Sequence, residues 1–353
     1  MKKFLSLIAL TSLIATPALA NPFNEYSARY SIPAGQVLVH VDVERLTQSQ
    51  TFKDLYGMAT GNPQAKGKLE EFKQRFGVDL LTDVKGVTVA LNAPSKGAPP
   101  ETSVYVAGNF KPEQIKAGFK KEGADFNTEQ VMGHDLLIAK NDSSAFAFVK
   151  GGVLAANSQK SPGGEVKGDA VLKAVLNGAG LGGALKTASA KFTAGKDLWA
   201  SFQPSAEMLN DMRAQNPMMA SFSAWDISLD LSKGLHLHVE GQGTPESAKQ
   251  ISDLANAQLA QAKSSPQAAM LGGIINKASV SAKASTLVVD IPLSNQEVKQ
   301  LQMMAMMLMM SMQQGHGAPQ PAPKRSPFPN LQAPATPTAP AAPVAPATPA
   351  TKK

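Results

Sequence analysis

No cysteine occurs among the 353 residues, although 43% of them are apolar. A disulfide, a cysteine nucleophile and the lipid-bearing cysteine of a bacterial lipoprotein are thereby excluded. No apolar run reaches the roughly 18 residues that a membrane span requires. The signatures of common catalytic sites are missing as well: there is no nucleophile elbow, no Gly-rich phosphate cradle between a strand and a helix, and no His-Glu-x-x-His. The glycines of 178–183 lack both the preceding strand and the following Lys-Ser/Thr of a phosphate loop. Carboxylates are scattered, and Glu70-Glu71 reads as a solvated helix face. The chain is expected to be no enzyme and to use no cofactor.

Charge of one sign is also scarcer than it looks. The formal net charge is +7, but Lys2 and Lys3 supply two of these charges. Lys324, Arg325, Lys352 and Lys353 supply four more in a tail without any acid, so about +1 is left for the rest. A basic face for nucleic acid is therefore not expected.

The N-terminus has Lys2-Lys3, an apolar run from Phe4 to Ala15, and Ala18-Leu19-Ala20 before Asn21. This is the pattern of a Sec-type signal peptide cleaved after Ala20. The mature chain, with no transmembrane span, is expected to be periplasmic or secreted.

What is present is a repeated unit. From Phe222 to Lys263, Ile227, Leu229 and Leu231 alternate with polar residues. After Lys233-Gly234, Leu235, Leu237 and Val239 alternate with His236, His238 and Glu240. Period two on both sides of a short turn predicts a hairpin with one buried and one wet face. Thr244 and Pro245 then open a helix whose Ala248, Ile251, Leu254, Ala255, Leu259 and Ala262 form one stripe. Asp83 to Gly123 repeats this order: strand, loop, strand, and a helix after Lys111-Pro112 carrying Ile115 and Phe119. Each copy follows a strand and a helix, with Gln36–Val43 and Leu198–Phe202 as the strands. The expected fold is α+β, two related domains of antiparallel sheet with helices packed on one face. The expected boundaries are 21–160, a flexible linker over 161–195, 196–316, and a disordered Pro/Ala-rich tail over 317–353.

Ahead of the first hairpin, Leu69, Phe72 and Phe76 make a helical stripe that Gly77 ends. The run Phe76-Gly77-Val78-Asp79, then Asp83-Val84-Lys85-Gly86-Val87-Thr88, resembles a segment of uncharacterised secreted bacterial proteins. In those a G-x-D, then D-x-x-x-V pattern precedes an alternating hairpin. The resemblance covers roughly the first copy, implies duplicated α+β domains, and brings no activity.

Two clusters are candidate sites. Ser294 and Glu297 make a capping box for a helix whose last turns crowd seven methionines, with His316 just beyond. Thioethers suit Cu(I), which makes Met303, Met307, Met310 and His316 candidate ligands. The alternative is packing, or an adaptable surface of Met304, Met306, Leu308, Met309 and Met312 for an envelope protein or hydrophobic ligand. His236 and His238, two residues apart with Glu240 following, are a second candidate metal pair, to which His40, Asp42 and Glu44 could contribute from another strand. The background reading is the wet side of a half-buried sheet. His134 reads as a solvated turn residue. The function expected is that of an exported, non-enzymatic binding or scaffolding protein, with Cu(I) binding as the alternative.

Overall fold

The computed structural model describes residues 36–92, 101–140, 144–149, 151–156, 159–161, 164–166, 168–178, 195–215, 217–264 and 274–314. The signal-like segment, the tail and His316 lie outside the described residues. The fold is α+β, dominated by an antiparallel sheet of twelve strands.

The first half runs β1 (Val37–Asp42), α1 (Val43–Leu46), α2 (Gln50–Thr60), α3 (Pro63–Phe76), β2 (Val84–Asn92), β3 (Glu101–Gly108) and α4 (Pro112–Lys121). It continues with β4 (Phe126–Val131), β5 (His134–Ala139), β6 (Ala145–Val149) and β7 (Gly152–Ala156). A small separate ribbon, β8 (Gln159–Ser161) and β9 (Gly164–Val166), leads to α5 (Gly168–Asn177). The second half runs β10 (Leu198–Phe202), α6 (Ala206–Gln215), β11 (Ala224–Asp230), β12 (Gly234–Gln242), α7 (Pro245–Lys263), α8 (Ile274–Lys277), β13 (Ser279–Lys283), β14 (Thr286–Ser294) and α9 (Asn295–Gln314).

Both expected hairpin-plus-helix modules form, β2-β3-α4 and β11-β12-α7. Outward from the centre the strand orders are β1-β2-β3-β7-β6-β5-β4 and β10-β11-β12-β14-β13. The second order is the first without an inserted hairpin. The expected separation into two sheets does not occur: β1 pairs antiparallel with β10, from Val37 opposite Phe202 to Val41 opposite Leu198. One compact unit extends to Ala305, and a second begins at Met306, of which the helix to Gln314 is described.

Local chemistry explains the elements. Gly77 ends α3 in the left-handed region, its N–H bonded to Lys73 O at 2.8 Å. Asp83 accepts from Asp79 N at 2.7 Å, and Asp79 from Leu81 N at 2.9 Å. The Gly-Val-Asp and Asp-Val motif is thus turn chemistry that aims α3 into β2. Thr244 caps α7 through a capping box with Ser247, and Ser294 exchanges bonds with Glu297 at the start of α9.

On one face of the first half, Phe72 and Phe76 of α3 and Ile115 and Phe119 of α4 pack on Val87, Val104, Val106, Phe146 and Val153. On the opposite face, Val171, Leu172, Val175 and Leu176 of α5 cover Tyr105, Leu136, Ala147 and Leu154. Helices therefore lie on both faces here, not one, and α5 converts part of the expected 161–195 linker into core.

At the crossing of α3 and α4, a Cβ on Gly118 would sit 2.5 Å from Phe76 Cδ1 and 2.8 Å from Arg75 O, whereas Gly57 in α2 has open space. Gly118→Ala is predicted to lower stability by about 1–2 kcal/mol through overpacking. Gly57→Ala should raise it by about 0.5–1 kcal/mol through helix propensity. Urea unfolding of both variants measures the contrast.

Candidate functional site

The two strands of the second half nearest the join wear their faces the wrong way round. In β11 the polar Asp226 and Ser228 are 8% and 1% exposed, while Ile227 between them is 38% exposed. In β10 the buried residues are Trp199 and Ser201, while Leu198, Ala200 and Phe202 are only half-buried. His40 and Asp42 of β1, expected on a wet face, are fully buried. The polar side of the alternation is covered here, and the apolar side is partly open.

That apolar side is continuous. The strand register aligns Val39, Ala200, Ile227, Val239 and Val289 in one row across β1, β10, β11, β12 and β14. Two helices flank it. At one end, Phe52 and Tyr56 of α2 cluster with Leu229, Leu231 and Leu235. At the other, Ala248 and Ile251 of α7 cluster with Phe222, Trp225, Leu287 and Val280. The row between them is covered only in part.

The opposite face of the second half carries the predicted histidines. His236 and His238 both meet Asp290 Oδ1, through Nε2 at 3.1 Å and Nδ1 at 2.7 Å, and His238 Nε2 meets Glu240 Oε1 at 3.0 Å. Asp290 of β14 was missed because only the pairing of β12 with β14 brings it opposite His238. Although burial works against its charge, hydrogen bonds from the two histidines hold its carboxyl below the usual range. The expected help from β1 does not arrive: His40 stands three strands away, about 14 Å. Its Nδ1 lies 2.8 Å from Thr88 Oγ1, and burial lowers its pKa to about 3, so the ring is neutral. Glu44 is on α1 and pairs with Lys85 at 3.5 Å. Among the described residues no group of three or more His, Asp or Glu is arranged to hold a metal. His134 is half-buried beside a turn in which Met132 and Gly133 both have positive φ.

A third cluster joins the halves. Arg45 Nε meets Asp197 Oδ1 at 2.9 Å and its Nη2 meets Asp230 Oδ1 at 3.1 Å, while its backbone N–H donates to Asp42 Oδ1 at 2.9 Å. Asp197 also accepts from Leu231 N. Burial pushes Asp42 up to about 8 and Asp197 up to about 6, with Arg45 opposing both shifts. Asp197 is fully buried, which makes this an internal clamp between α1 and the ends of β10 and β11.

Of the methionine helix, Met303 is 55% exposed and Met304 half-buried. The side chains of Met306, Met307, Leu308, Met309, Met310 and Met312 lie outside the described residues, as does His316. Among the described residues no helix is long and apolar enough to cross a membrane.

No protein-family model matches the sequence, and no curated protein is similar to it. Crystal form III of TP0453 is similar in structure, with a TM-score of 0.45 and 10% identity, covering 77% of this chain and 95% of that one. For crystal form I of TP0453 the values are 0.42 and 9%, covering 81% and 98%. Likeness at that level assigns no function.

The clamp makes a pH prediction. Asp42 and Asp197 have folded-state pKa values above their ordinary 3.8, so the folded state keeps their protons to higher pH than the unfolded chain does. Their stabilisation is complete below about pH 4 and is lost as pH rises through about 6 for Asp197 and about 8 for Asp42. Buried His40 acts in the opposite sense below 6.5, so the upper window isolates Asp42. Asp42→Asn is predicted to flatten the fall in stability between about pH 6 and 8 in urea titrations, and an unchanged slope would refute this.

Proposed function

We propose that the chain is an exported, non-enzymatic binding protein of the bacterial envelope, holding a hydrophobic ligand on the apolar face of its second half. The observation that carries the reading is Ile227, 38% exposed in the middle of an apolar row whose polar neighbours Asp226 and Ser228 are buried. Leaving aliphatic surface in water costs about 25 cal/mol per Å², a cost that a covering ligand removes. A sheet face that is apolar across five strands and flanked by helices at both ends has the lining chemistry of a small-molecule site. Export is supported by the Lys2-Lys3, Phe4–Ala15 and Ala18-Leu19-Ala20 pattern.

Expression of the full sequence with fractionation and N-terminal sequencing tests the first part. A mature chain beginning at Asn21 in the periplasm or medium is expected, and a cytoplasmic chain retaining Met1 contradicts export. An anilinonaphthalene sulfonate dye tests the second. Saturable fluorescence enhancement with the folded chain is expected, and its absence contradicts a hydrophobic site.

A further inference from the structure

We infer that β4 is an open edge at which a second copy of this chain pairs antiparallel, so that the sheets of two copies run on into one.

The twelve-stranded sheet ends at β13 on one side and at β4 on the other. An end strand carries backbone N–H and C=O groups with no neighbouring strand, and folded proteins close such edges with lysine, proline, bulges or a covering helix. β13 is closed in this way. Asn256 Nδ2 of α7 donates to Val280 O at 3.0 Å, Ser252 Oγ lies 3.5 Å from the same oxygen, and Lys283 stands exposed at the end of the strand. β4 has none of these devices. Its sequence, Phe126-Asn127-Thr128-Glu129-Gln130-Val131, contains no lysine and no proline, and its register against β5 runs without a bulge from Phe126 opposite Ala139 to Val131 opposite His134. Its single charge, on Glu129, is met by Lys173 Nζ of α5 at 2.7 Å. Asn127 and Glu129 on one side of the sheet, and Thr128 and Gln130 on the other, are all exposed. The helices that cover this half therefore stop short of β4, which leaves room beside it for another strand.

The register fixes which backbone groups are on offer. Lys140 N donates to Asp125 O at 2.9 Å, and bonding alternates along an antiparallel pair, so Asn127, Glu129 and Val131 also turn their backbone groups towards β5. Phe126, Thr128 and Gln130 turn theirs outward. Among the described residues no backbone group pairs with them. The outward residues are spaced evenly about Thr128, as a two-fold contact between identical strands requires. Laid antiparallel with Thr128 opposite the same residue of the second copy, Phe126 of each copy meets Gln130 of the other, and every outward group finds a partner. On the other face Asn127 of each copy comes opposite Glu129 of the other. An amide N–H then faces each carboxylate, and the two acids are kept apart. Any extended peptide could satisfy the backbone, but this match of side chains belongs to the strand paired with itself.

Analytical ultracentrifugation of the mature full chain over a range of concentrations tests the proposal. A monomer–dimer equilibrium is expected. Thr128→Pro removes an N–H that points away from β5, so it should leave urea unfolding nearly unchanged and weaken the dimer at least tenfold. Ala282→Pro, the matching change at an outward position of β13, should leave the dimer intact. Because the chain has no cysteine, Thr128→Cys carries the test should the proline variant fail to fold. Opposite α-carbons of a bonded pair stand about 5.5 Å apart, within reach of a disulfide, so oxidation should yield a covalent dimer. Gln130→Cys, about 14 Å from the same residue of the second copy, should not. A monomer at every concentration overturns the proposal. So does a dimer that Thr128→Pro leaves intact, equal cross-linking at positions 128 and 130, or a dimer lost with Ile227→Lys, which would put the contact on the apolar face of the second half.

Discussion

The pairing of β1 with β10 is the interaction on which the rest of the structure depends. It joins the first strand of each half antiparallel, over five residue pairs from Val37–Phe202 to Val41–Leu198, and turns two modules into one sheet. Once the halves share a sheet, the strands at the seam are interior strands, and both of their faces need cover. Arg45 reinforces the join by bonding Asp197 and Asp230 of the second half from a helix of the first. Removing Arg45 would leave the fully buried Asp197 without its counterion, which is far more costly than the pair is favourable.

The halves are alike in order and unlike in filling. The first closes both faces with its own side chains: aromatic and aliphatic residues of α3 and α4 on one side, α5 on the other. The second repeats the strand order but replaces Ile115 and Phe119 by Ala248 and Ser252, and leaves Ile227 facing solvent. A duplicated scaffold in which one copy is packed solid and the other kept partly open divides the work. In the proposed binding reading, the packed half supplies stability and the other supplies the surface a ligand would cover.

Element order was legible in the sequence because it rests on local signals: period-two alternation in β11 and β12, Thr244-Pro245 at the start of α7, and Gly77 at the end of α3. The joining of the halves was not, since nothing local in Val37–Val41 distinguishes a partner within the half from one 160 residues away. Face assignment failed for the same reason. Alternation says that Ile227 and Ser228 point to opposite sides, and only tertiary packing decides which side is covered. Hence Ser228, His40 and Asp42 read as wet and are buried. The histidine pair was found by its spacing, while Asp290 became its partner only through the register of β14 against β12.

The inverted faces of β11 are the centre of this account, and the absence of native cysteine makes them directly measurable. Single substitutions Ile227→Cys and Ser228→Cys place one thiol on each side of the same strand, and the rate of reaction with a maleimide reports access under native conditions. The thiol at position 227 is predicted to react rapidly and to be protected by the hydrophobic dye, with the thiol at 228 reacting at least tenfold more slowly. Equal rates, or faster labelling at 228, would contradict the open apolar face and the hydrophobic site proposed on it.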